Sequence, residues 1–292
     1  MREIVLPQGE TAKNLESFLK RRFPIGYVRK VFRKSGVRVN GQRAKADDLV
    51  RAGDRIQLYI PFEAHSGRGK SRNFKMAVLF EDAALLVIDK PAGVAVHEGK
   101  TERKGETVLG MLEDRYRAAG IRPILVHRLD KDTSGVLLVA KHPLAATELE
   151  TLFEAGQVEK HYLCLLVGRL PGTEGKIDFP VPGRQGSPVR ALTRYRAVKR
   201  FSETTLAHVT IETGRLHQIR LHFAQLGYPV VMDDQHGDFG FNKRFRKQFG
   251  LKRQFLHAET LKLKYDGKLQ AWTAPIAQDL KDTLKKLSDS HE

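Results

Sequence analysis

Residues 126–141 read Val-His-Arg-Leu-Asp-Lys-Asp-Thr-Ser-Gly-Val-Leu-Leu-Val-Ala-Lys. Polar residues followed by Gly135 predict a turn, and the apolar run that continues to Ala140 predicts a strand buried on both faces. Asp130 then lies at the edge of a core, where an ionised carboxylate is costly unless a cation or a hydrogen-bond donor meets it. One interpretation is structural, with Asp130 bridging to Arg128 or capping the turn. The other is that Asp130 takes part in chemistry.

The composition indicates a polyanionic partner. The 292 residues include 51 Lys and Arg against 34 Asp and Glu, which gives a formal net charge of +17. Such an excess favours nucleic acid, with an anionic membrane surface as the rival. The sequence has neither a signal peptide nor an apolar run of about 18 residues, so we expect a cytoplasmic protein without a membrane segment. The single cysteine, Cys164, excludes a disulfide framework and a Cys-based zinc site.

The N-terminal segment predicts two helices and a hairpin. Apolar residues recur at helical spacing over 14–23 and again over 25–35, and Gly36 is placed to end the second helix at its C′ position. An alternating strand then enters the turn Asn40-Gly41, and another strand follows over 53–60. Between Lys13 and Arg55 there are 13 Lys and Arg against four acids.

This arrangement resembles the S4 RNA-binding domain over residues 11–62. An amphipathic helix pair with ordinary solvated charges would explain the periodicity but not the one-sided sign. The resemblance implies that structured RNA is bound by Lys20, Arg21, Arg22, Arg29, Lys30, Arg33, Lys34 and Arg38. Residues 63–75 are polar and Gly-rich and predict a flexible linker to a second domain over 76–292.

Residues 126–141 closely resemble the signature of the RluA family of pseudouridine synthases, in which the Asp of His-Arg-Leu-Asp is the catalytic carboxylate. Other segments agree with it. The strand end Asp89-Lys90-Pro91-Ala92-Gly93 resembles the family's opening motif, and residues 160–168 resemble its Lys-x-Tyr segment. Residues 213–222 resemble its third motif, in which Arg220 matches the Arg that pairs with the catalytic Asp.

The resemblance implies catalytic roles for Asp130, Tyr162 and Arg220, although a Tyr that opens an apolar strand is by itself more often a core residue. It also implies substrate contacts by Arg128, which fills the place of a flipped-out base, and by His127, Arg215, His217 and Gln218. Asp130 would act as nucleophile at C1′ or as base at C2′, and the sequence does not choose between them. The alternative that His217 and His222 bind a metal conflicts with their i, i+5 spacing, and we expect neither a metal nor a cofactor.

The sequence after residue 213 agrees with the family motifs in several places and departs from them at two residues. Residues 227–238 resemble the family's Gly-x-Pro…Asp-x-x-Tyr-Gly segment, but His236 stands where the family has Tyr, and we assign it no role from the family. Leu216 replaces a residue that is usually small and polar. Residues 255–259 and the Asp-Asp-x-x-Gly-Asp form look most like the RluC type.

A basic segment lies between Asn242 and Arg253, where Phe245 and Phe249 alternate with six Lys and Arg. It predicts contact with RNA phosphates together with stacking by the aromatic rings, and a solvated amphipathic helix is the alternative. The basic residues concerned are Lys243, Arg244, Arg246 and Lys247.

We therefore predict an α+β protein with a small S4-like module and a catalytic domain built on a mixed, mainly antiparallel sheet. It would isomerise uridines in RNA, most simply in 23S ribosomal RNA or the assembling large subunit, as a monomer. The alternatives are a synthase acting on transfer RNA and a non-catalytic RNA-binding or ribosome-assembly factor. A nucleic-acid hydrolase would require an activated water or a metal that the sequence does not supply.

Overall fold

The computed structural model describes residues 2–6, 12–20, 22–23, 25–59, 76–99, 105–183 and 186–290. The chain forms two compact units, Met1–Gly69 and Lys70–Glu292. The linker predicted over 63–75 lies outside the described residues. Within them, no helix combines the length and the apolarity needed to cross a bilayer.

The N-terminal unit combines two short helices with a small antiparallel sheet. Its elements are β1 (Arg2–Val5), β2 (Lys13–Asn14), α1 (Leu15–Lys20), α2 (Ile25–Arg33), β3 (Val37–Val39), β4 (Gln42–Arg43), β5 (Leu49–Val50) and β6 (Arg55–Leu58). The main sheet has the order β1-β6-β3-β4, and β2 pairs with β5. Strand β1 lies before residue 11, where the predicted domain started. The sequence did not predict this strand, because four residues are too few to show an alternating pattern.

The helices of this unit follow the sequence pattern, except at the end of α2. Apolar side chains at the predicted positions form its core. The left-handed residue after α2 is Ser35, with φ 48°, rather than Gly36 as predicted. The amides of Ser35 and Gly36 bond to the carbonyls of Phe32 and Val31, a Schellman ending shifted by one residue. Asn40 and Gly41 both have positive φ and make the predicted two-residue hairpin turn.

The second unit is built on one large sheet, and residues 181–182 and 188–189 form a separate two-stranded sheet. Its strands are β7 (Ala77–Glu81), β8 (Leu85–Lys90), β9 (Ile124–Leu125), β10 (Ser134–Ala140), β11 (Glu159–Val167), β12 (Glu174–Ile177), β13 (Val181–Pro182), β14 (Pro188–Val189), β15 (Thr193–Arg200), β16 (Thr204–Ile211), β17 (Leu256–Tyr265) and β18 (Lys268–Thr273). Its helices are α3 (Val108–Tyr116), α4 (Pro143–Glu154), α5 (Gln218–Gln225), α6 (Phe239–Phe249) and α7 (Gln278–Asp289), with a 3₁₀ turn at Arg117–Ala119.

The large sheet is mixed and mainly antiparallel, as predicted. Its order is β12-β15-β16-β11-β17-β10-β8-β7, with β18 on β17 and β9 on β10. Among the described strands, only β10 and β17 run parallel, and they are paired over Ser134–Gly135. The strand that follows Asp130 therefore meets a strand from the C-terminal part of the chain.

Strand β10 is buried on both faces, which confirms the prediction from its apolar run. Leu137 and Val139 pack in a core with α3 and α5. Val136 and Leu138 pack on the opposite face with α4 and Trp272. A third core joins β11 to α6 and α7. This double burial fixes the direction of β10, and with it the position of the turn that precedes it.

Candidate active site

The turn that carries Asp130 is held by segments distant in sequence. Gln254 Nε2 donates to Thr133 Oγ1 at 2.7 Å, and Ser134 Oγ bonds to His257 Nδ1 at 2.9 Å. Gly135 has φ 115°, and a Cβ there would lie 2.1 Å from the Ala258 carbonyl oxygen. The contact with β17 thus requires glycine at this position, and the turn is rigidly placed.

Lys90 supports the same turn from β8. Its side chain is fully buried, and Nζ donates to the carbonyls of Pro91, Val94 and Lys131 at 2.8, 2.8 and 3.0 Å. Burial lowers the pKa of Lys90 to about 7. Three carbonyl acceptors nevertheless use all three N–H groups of an ammonium, which favours the charged form. Because Lys131 follows Asp130, this cation fixes the backbone next to the carboxylate.

Arg220 joins two carboxylates in a row. Its Nη1 donates to Asp130 Oδ2 at 3.1 Å, while Nε and Nη2 donate to Asp233 Oδ2 and Oδ1 at 2.6 and 2.7 Å. The side chain of Arg220 is 4% exposed, that of Asp233 0%, and that of Asp130 19%. The predicted contact between Asp130 and Arg220 is present, but the bidentate partner of Arg220 is Asp233.

The charges in this row stabilise one another. Burial would raise the pKa of Asp233, but the Arg220 guanidinium and the amides of Gln235 and His236 lower it below the ordinary value. Burial likewise opposes the charge on Arg220, yet Asp233 and Asp130 together raise its pKa. The two bonds to Asp233 fix the orientation of the Arg220 guanidinium, so that its Nη1 stays directed at Asp130.

His217 completes the surroundings of Asp130. Its Nε2 lies 3.8 Å from Asp130 Oδ1, and its Nδ1 lies 3.1 Å from Nε2 of His236. The backbone of His217 is left-handed, with φ 52°, at the N-terminus of α5. Burial is the main cause that lowers the pKa of His217, against the opposing effect of Asp130. A neutral imidazole therefore lies beside the carboxylate at pH 7.

A pocket of about 430 Å³ opens next to Asp130 and is lined in part by Arg128, Tyr162 and Leu216. Tyr162 is 8% exposed in β11, and within the described part of the chain its hydroxyl has no hydrogen-bond partner. Burial and the charge of Asp130 raise the pKa of Tyr162, so it is a neutral phenol. Arg128 is exposed and, among described residues, makes no ion pair. A second pocket of about 430 Å³ shares Arg128, Asp130, His217 and Arg220 with the first.

Other predicted substrate residues are held by the protein itself. Gln218 makes four hydrogen bonds, with Thr213, the Arg215 amide, the Leu192 carbonyl and Thr193, which use all of its amide capacity. These bonds fix the turn before α5, and a contact with substrate would have to break one.

His127 Nε2 accepts from the Leu138 amide at 2.8 Å, and burial lowers the pKa of His127 to about 3. His127 therefore lines the pocket as a neutral ring. Arg215 is exposed at its rim and donates to the Arg190 carbonyl at 3.2 Å. His222 bonds to Thr193 and the Phe179 carbonyl. The described residues contain no group of three or more possible metal ligands.

The predicted RNA contacts lie on both units and are mostly exposed. In the N-terminal unit the exposed ones are Lys20, Arg22, Arg29, Arg33 and Lys34, and Arg38 is half-buried near Tyr59. Arg21 and the side chain of Lys30 lie outside the described residues. On α6, the exposed side chains are Lys243, Arg244, Arg246 and Lys247.

The predicted stacking of α6 on RNA is wrong. Phe245 and Phe249 are 3% and 9% exposed and pack in the core with α7. The segment is an amphipathic helix whose aromatic face is used within the fold. Its basic face alone remains available to a partner.

The sequence motifs missed two parts of the site. Asp233 lies within the segment that resembles the family, but the motif gave it no role. The available signal was that Asp233 directly follows three apolar residues. Such a position predicts a buried carboxylate, which needs a cationic partner such as Arg220. The pairing of His217 with His236 had no sequence signal, since the two residues are 19 positions apart on different elements.

Comparison with known proteins identifies the family of the chain. The model of the RNA pseudouridylate synthase family matches residues 84–225. An uncharacterized RNA pseudouridine synthase of Chloroflexus aurantiacus is 37% identical over 99% of this chain and 94% of its own. The ribosomal large subunit pseudouridine synthase C of Escherichia coli is 30% identical over 98% and 97%. The corresponding synthase D of Xanthomonas campestris is 33% identical over 99% and 93%.

A solved structure agrees at the level of the fold. The human RNA pseudouridylate synthase domain containing 4 superimposes with a TM-score of 0.62 at 23% identity, over 73% of this chain and 93% of that one. The mixed sheet, the row of Asp130, Arg220 and Asp233, and these matches define an RNA pseudouridine synthase, an isomerase. The chain belongs to the RluA family, and the relatives named synthase C support its likeness to the RluC type.

Proposed function

We propose that this chain converts specific uridines of large-subunit ribosomal RNA into pseudouridine, with Asp130 acting on a nucleotide extruded from the RNA. The substrate class rests on the relatives named ribosomal large subunit pseudouridine synthases C and D. The observation that carries the chemistry is the anchored pair of Arg220 and Asp130 beside a pocket of about 430 Å³.

The pocket suits one nucleoside, because ligand pockets of roughly 300–1,000 Å³ enclose small organic molecules. A base inside folded RNA can reach Asp130 only if it leaves the stack. Arg128 is exposed at the pocket and, within the described chain, has no ionic partner. Its planar guanidinium can therefore occupy the place that the base leaves.

The reaction is an isomerisation with no net loss of atoms. The N1–C1′ bond of uridine breaks, the uracil turns, a C5–C1′ bond forms, and the proton on C5 is exchanged for one on N1. Two routes start from the carboxylate of Asp130: attack on C1′, or removal of the C2′ proton. Both require an ionised Asp130, and the guanidinium of Arg220 lies 3.1 Å from its Oδ2.

Tyr162 is suited to hold the detached uracil. Its ring lies on the pocket wall among core residues. Because it stays a neutral phenol, it can stack on the base and donate a hydrogen bond, but it is a poor base for the C5 proton. We assign it to binding and orientation during the rotation.

The N-terminal unit is proposed to bind structured RNA in the manner of an S4 domain. Its exposed cations at α1 and α2 supply phosphate contacts, which are additive and weaken with salt. We propose that the protein works in the cytoplasm as a monomer on the assembling subunit.

The decisive experiment replaces Asp130 by Asn. Asp130→Asn is near-isosteric but neither nucleophilic nor basic, so RNA binding should persist while release of tritium from RNA carrying 5-tritiated uridine stops. Asp178→Asn is the matched control, because Asp178 is an exposed surface residue paired with Lys176 at 3.3 Å. Turnover by Asp130→Asn above trace levels would refute the role of this carboxylate.

The substrate class needs a second experiment. Pseudouridine maps of ribosomal and transfer RNA are compared between a strain lacking the protein, one carrying it, and one carrying Asp130→Asn. Loss of particular large-subunit sites in the first and third strains is expected. If the missing sites lie in transfer RNA alone, the ribosomal assignment is wrong. If Asp130→Asn restores every site, the catalytic assignment is wrong.

A further inference from the structure

We propose that His236 is a positioning residue: it holds the ring of His217 beside Asp130 and forms with it a two-imidazole pair that takes up one proton in acid and slows the reaction. This inference rests on the proposed role of Asp130. It concerns a residue that departs from the family's sequence pattern.

The geometry joins three side chains in a line. His236 Nε2 lies 3.1 Å from His217 Nδ1, and the two rings meet edge to face with centroids 5.3 Å apart. His217 Nε2 lies 3.8 Å from Asp130 Oδ1, an ion-pair distance rather than a hydrogen bond. The amide of His236 donates to Asp233 Oδ1 at 2.9 Å, so the same carboxylate anchors Arg220 and the loop that carries His236.

A hydrogen bond between two imidazole nitrogens needs one N–H and one lone pair. If His217 Nδ1 donated, a neutral His217 would turn the lone pair of Nε2 toward the carboxylate of Asp130, which is repulsive. The favoured neutral arrangement is the reverse. His236 Nε2–H donates to His217 Nδ1, and His217 Nε2–H points toward Asp130.

The pair can take up a proton without moving. A proton that arrives at Nδ1 of His236 lets the shared proton pass to His217, which becomes an imidazolium next to Asp130. A second proton would set two N–H groups against each other across 3.1 Å, so uptake of one proton is expected before a second.

The charged groups around the two histidines influence the pH at which the proton is taken up. The charged or titratable groups that face the pair or line its cleft are Arg220 on α5, Arg128, Asp130, Lys131 and Asp132 on the segment before β10, Asp233 and Asp234 on the loop before α6, and His97. Burial chiefly lowers the pKa of His217, and Asp130 opposes this effect. The ring of His217 is therefore neutral at pH 7 and takes up a proton only at lower pH.

A charged pair should slow the reaction. Asp130 loses negative charge in either route, by bonding to C1′ or by taking a proton. An additional cation beside it stabilises the starting carboxylate more than the transition state. Turnover should therefore fall as acid charges the ring of His217.

Two substitutions distinguish the two functions proposed for His236, which are to position the ring of His217 and to take up a proton. His236→Tyr keeps a donor to His217, but a phenol oxygen is a much weaker base than an imidazole nitrogen. His236→Phe keeps a ring and removes both functions. His208→Phe is the matched control, since His208 is a partly exposed histidine on β16 that pairs with Glu259 at 3.3 Å, outside the pocket.

The pH dependence of kcat from tritium release is measured for all four proteins. For His236→Phe we expect kcat to fall roughly three- to tenfold at pH 8, which corresponds to one net hydrogen bond. His236→Tyr should lose less at pH 8, and in both variants the acid limb should move to lower pH. His208→Phe should match the wild-type profile.

A second readout is independent of turnover. In ¹⁵N-histidine-labelled protein, the ring signals of His217 and His236 should titrate with one shared midpoint. In His236→Tyr the signal of His217 should shift to a lower midpoint. Independent midpoints for the two rings, or a wild-type acid limb in His236→Tyr, would overturn the inference. Turnover by Asp130→Asn would instead overturn the proposed function on which it rests.

Discussion

Replacing Arg220 by Met should destabilise the catalytic unit strongly, and mainly through Asp233. Arg220 gives Asp233 two short bonds of 2.6 and 2.7 Å, and gives Asp130 one of 3.1 Å. The side chain of Asp233 is 0% exposed and that of Asp130 is 19% exposed. After the substitution water can still solvate Asp130, whereas Asp233 is left buried with only backbone donors.

The magnitude follows from this burial. Removing one partner of a buried ion pair typically costs about 3–5 kcal/mol. For a unit of this size, each kcal/mol lowers Tm by about 2–4 °C, so the transition should fall by roughly 6–20 °C. Arg220→Lys keeps a charge but loses the fork that meets Asp233 with two bonds, so it should cost less stability than Arg220→Met and still reduce turnover.

Double variants can show which carboxylate, Asp233 or Asp130, is destabilised by the loss of Arg220. Adding Asp233→Asn to Arg220→Met should recover a substantial part of the lost stability, because no buried charge is left. Adding Asp130→Asn should recover less, because Asp130 is partly hydrated. The two recoveries are read against the single variants, since only coupled residues deviate from additivity.

The loss should also depend on pH. In the wild type the lowered pKa of Asp233 contributes stability that is present above about pH 3.9, its unfolded value, and is lost as pH falls through the folded pKa. Without Arg220, burial should raise the pKa of Asp233, and the resulting penalty is full at pH 7 and fades on acidification. The gap between wild type and Arg220→Met should therefore narrow from pH 7 toward pH 4.

Thermal melts of the wild type, the single variants Arg220→Met, Asp233→Asn and Asp130→Asn, and the two double variants at pH 7 and pH 5 test this reasoning. If Asp130→Asn rescues as well as Asp233→Asn, Asp233 is not the main partner. If the gap widens in acid, the sign assigned to the buried carboxylate is wrong.

Three further predictions concern other parts of the molecule. Lys90→Met should destabilise the catalytic unit by about 2–4 kcal/mol in urea melts and lower turnover, because three carbonyls lose a charged donor that is itself fully buried. Phe245→Ala should cost about 3–5 kcal/mol of stability, while the RNA affinity of the protein that remains folded stays unchanged, because the ring is buried. Neutralising Arg29, Arg33 and Lys34 should flatten the dependence of log affinity on log salt by roughly 0.7–0.9 for each phosphate that these side chains no longer neutralise.

The predictions for Lys90 and for α2 each have a control at exposed lysines. Lys176→Met removes an exposed lysine and should change stability by less than about 0.5 kcal/mol. Neutralising Lys281 and Lys285, exposed on α7, tests whether any loss of positive charge flattens the salt slope. An equal effect of both sets would contradict a local RNA site at α2. Weaker RNA binding by folded Phe245→Ala would restore the stacking hypothesis.

The sequence predicted the features that depend on local pattern. The apolar run after Gly135 identified a strand buried on both faces, and the Asn40-Gly41 dipeptide identified a hairpin turn. The contact between Asp130 and Arg220 followed from a family resemblance and was confirmed in the structure at 3.1 Å. Such features are visible because one segment, or one known motif, contains the whole signal.

The rest depends on contacts that no single segment contains. Phe245 and Phe249 look alike in sequence whether they face RNA or a core, and only the packing of α7 decides. Strand β1 is recognised by its partner β6, more than 50 residues away, and not by its own four residues. The anchoring of Arg220 by Asp233 required knowing that the loop before α6 returns to α5.

The attachment of the Asp130 turn to β17 also has a consequence for synthesis. The bonds from Gln254 to Thr133 and from His257 to Ser134 span 121 and 123 residues. At about 5–20 residues per second, the ribosome makes these later residues roughly 6–24 s after the turn. The carboxylate thus leaves the ribosome well before the residues that hold it in place. A nascent chain therefore carries Asp130 on an unsupported turn until the residues up to His257 have been made.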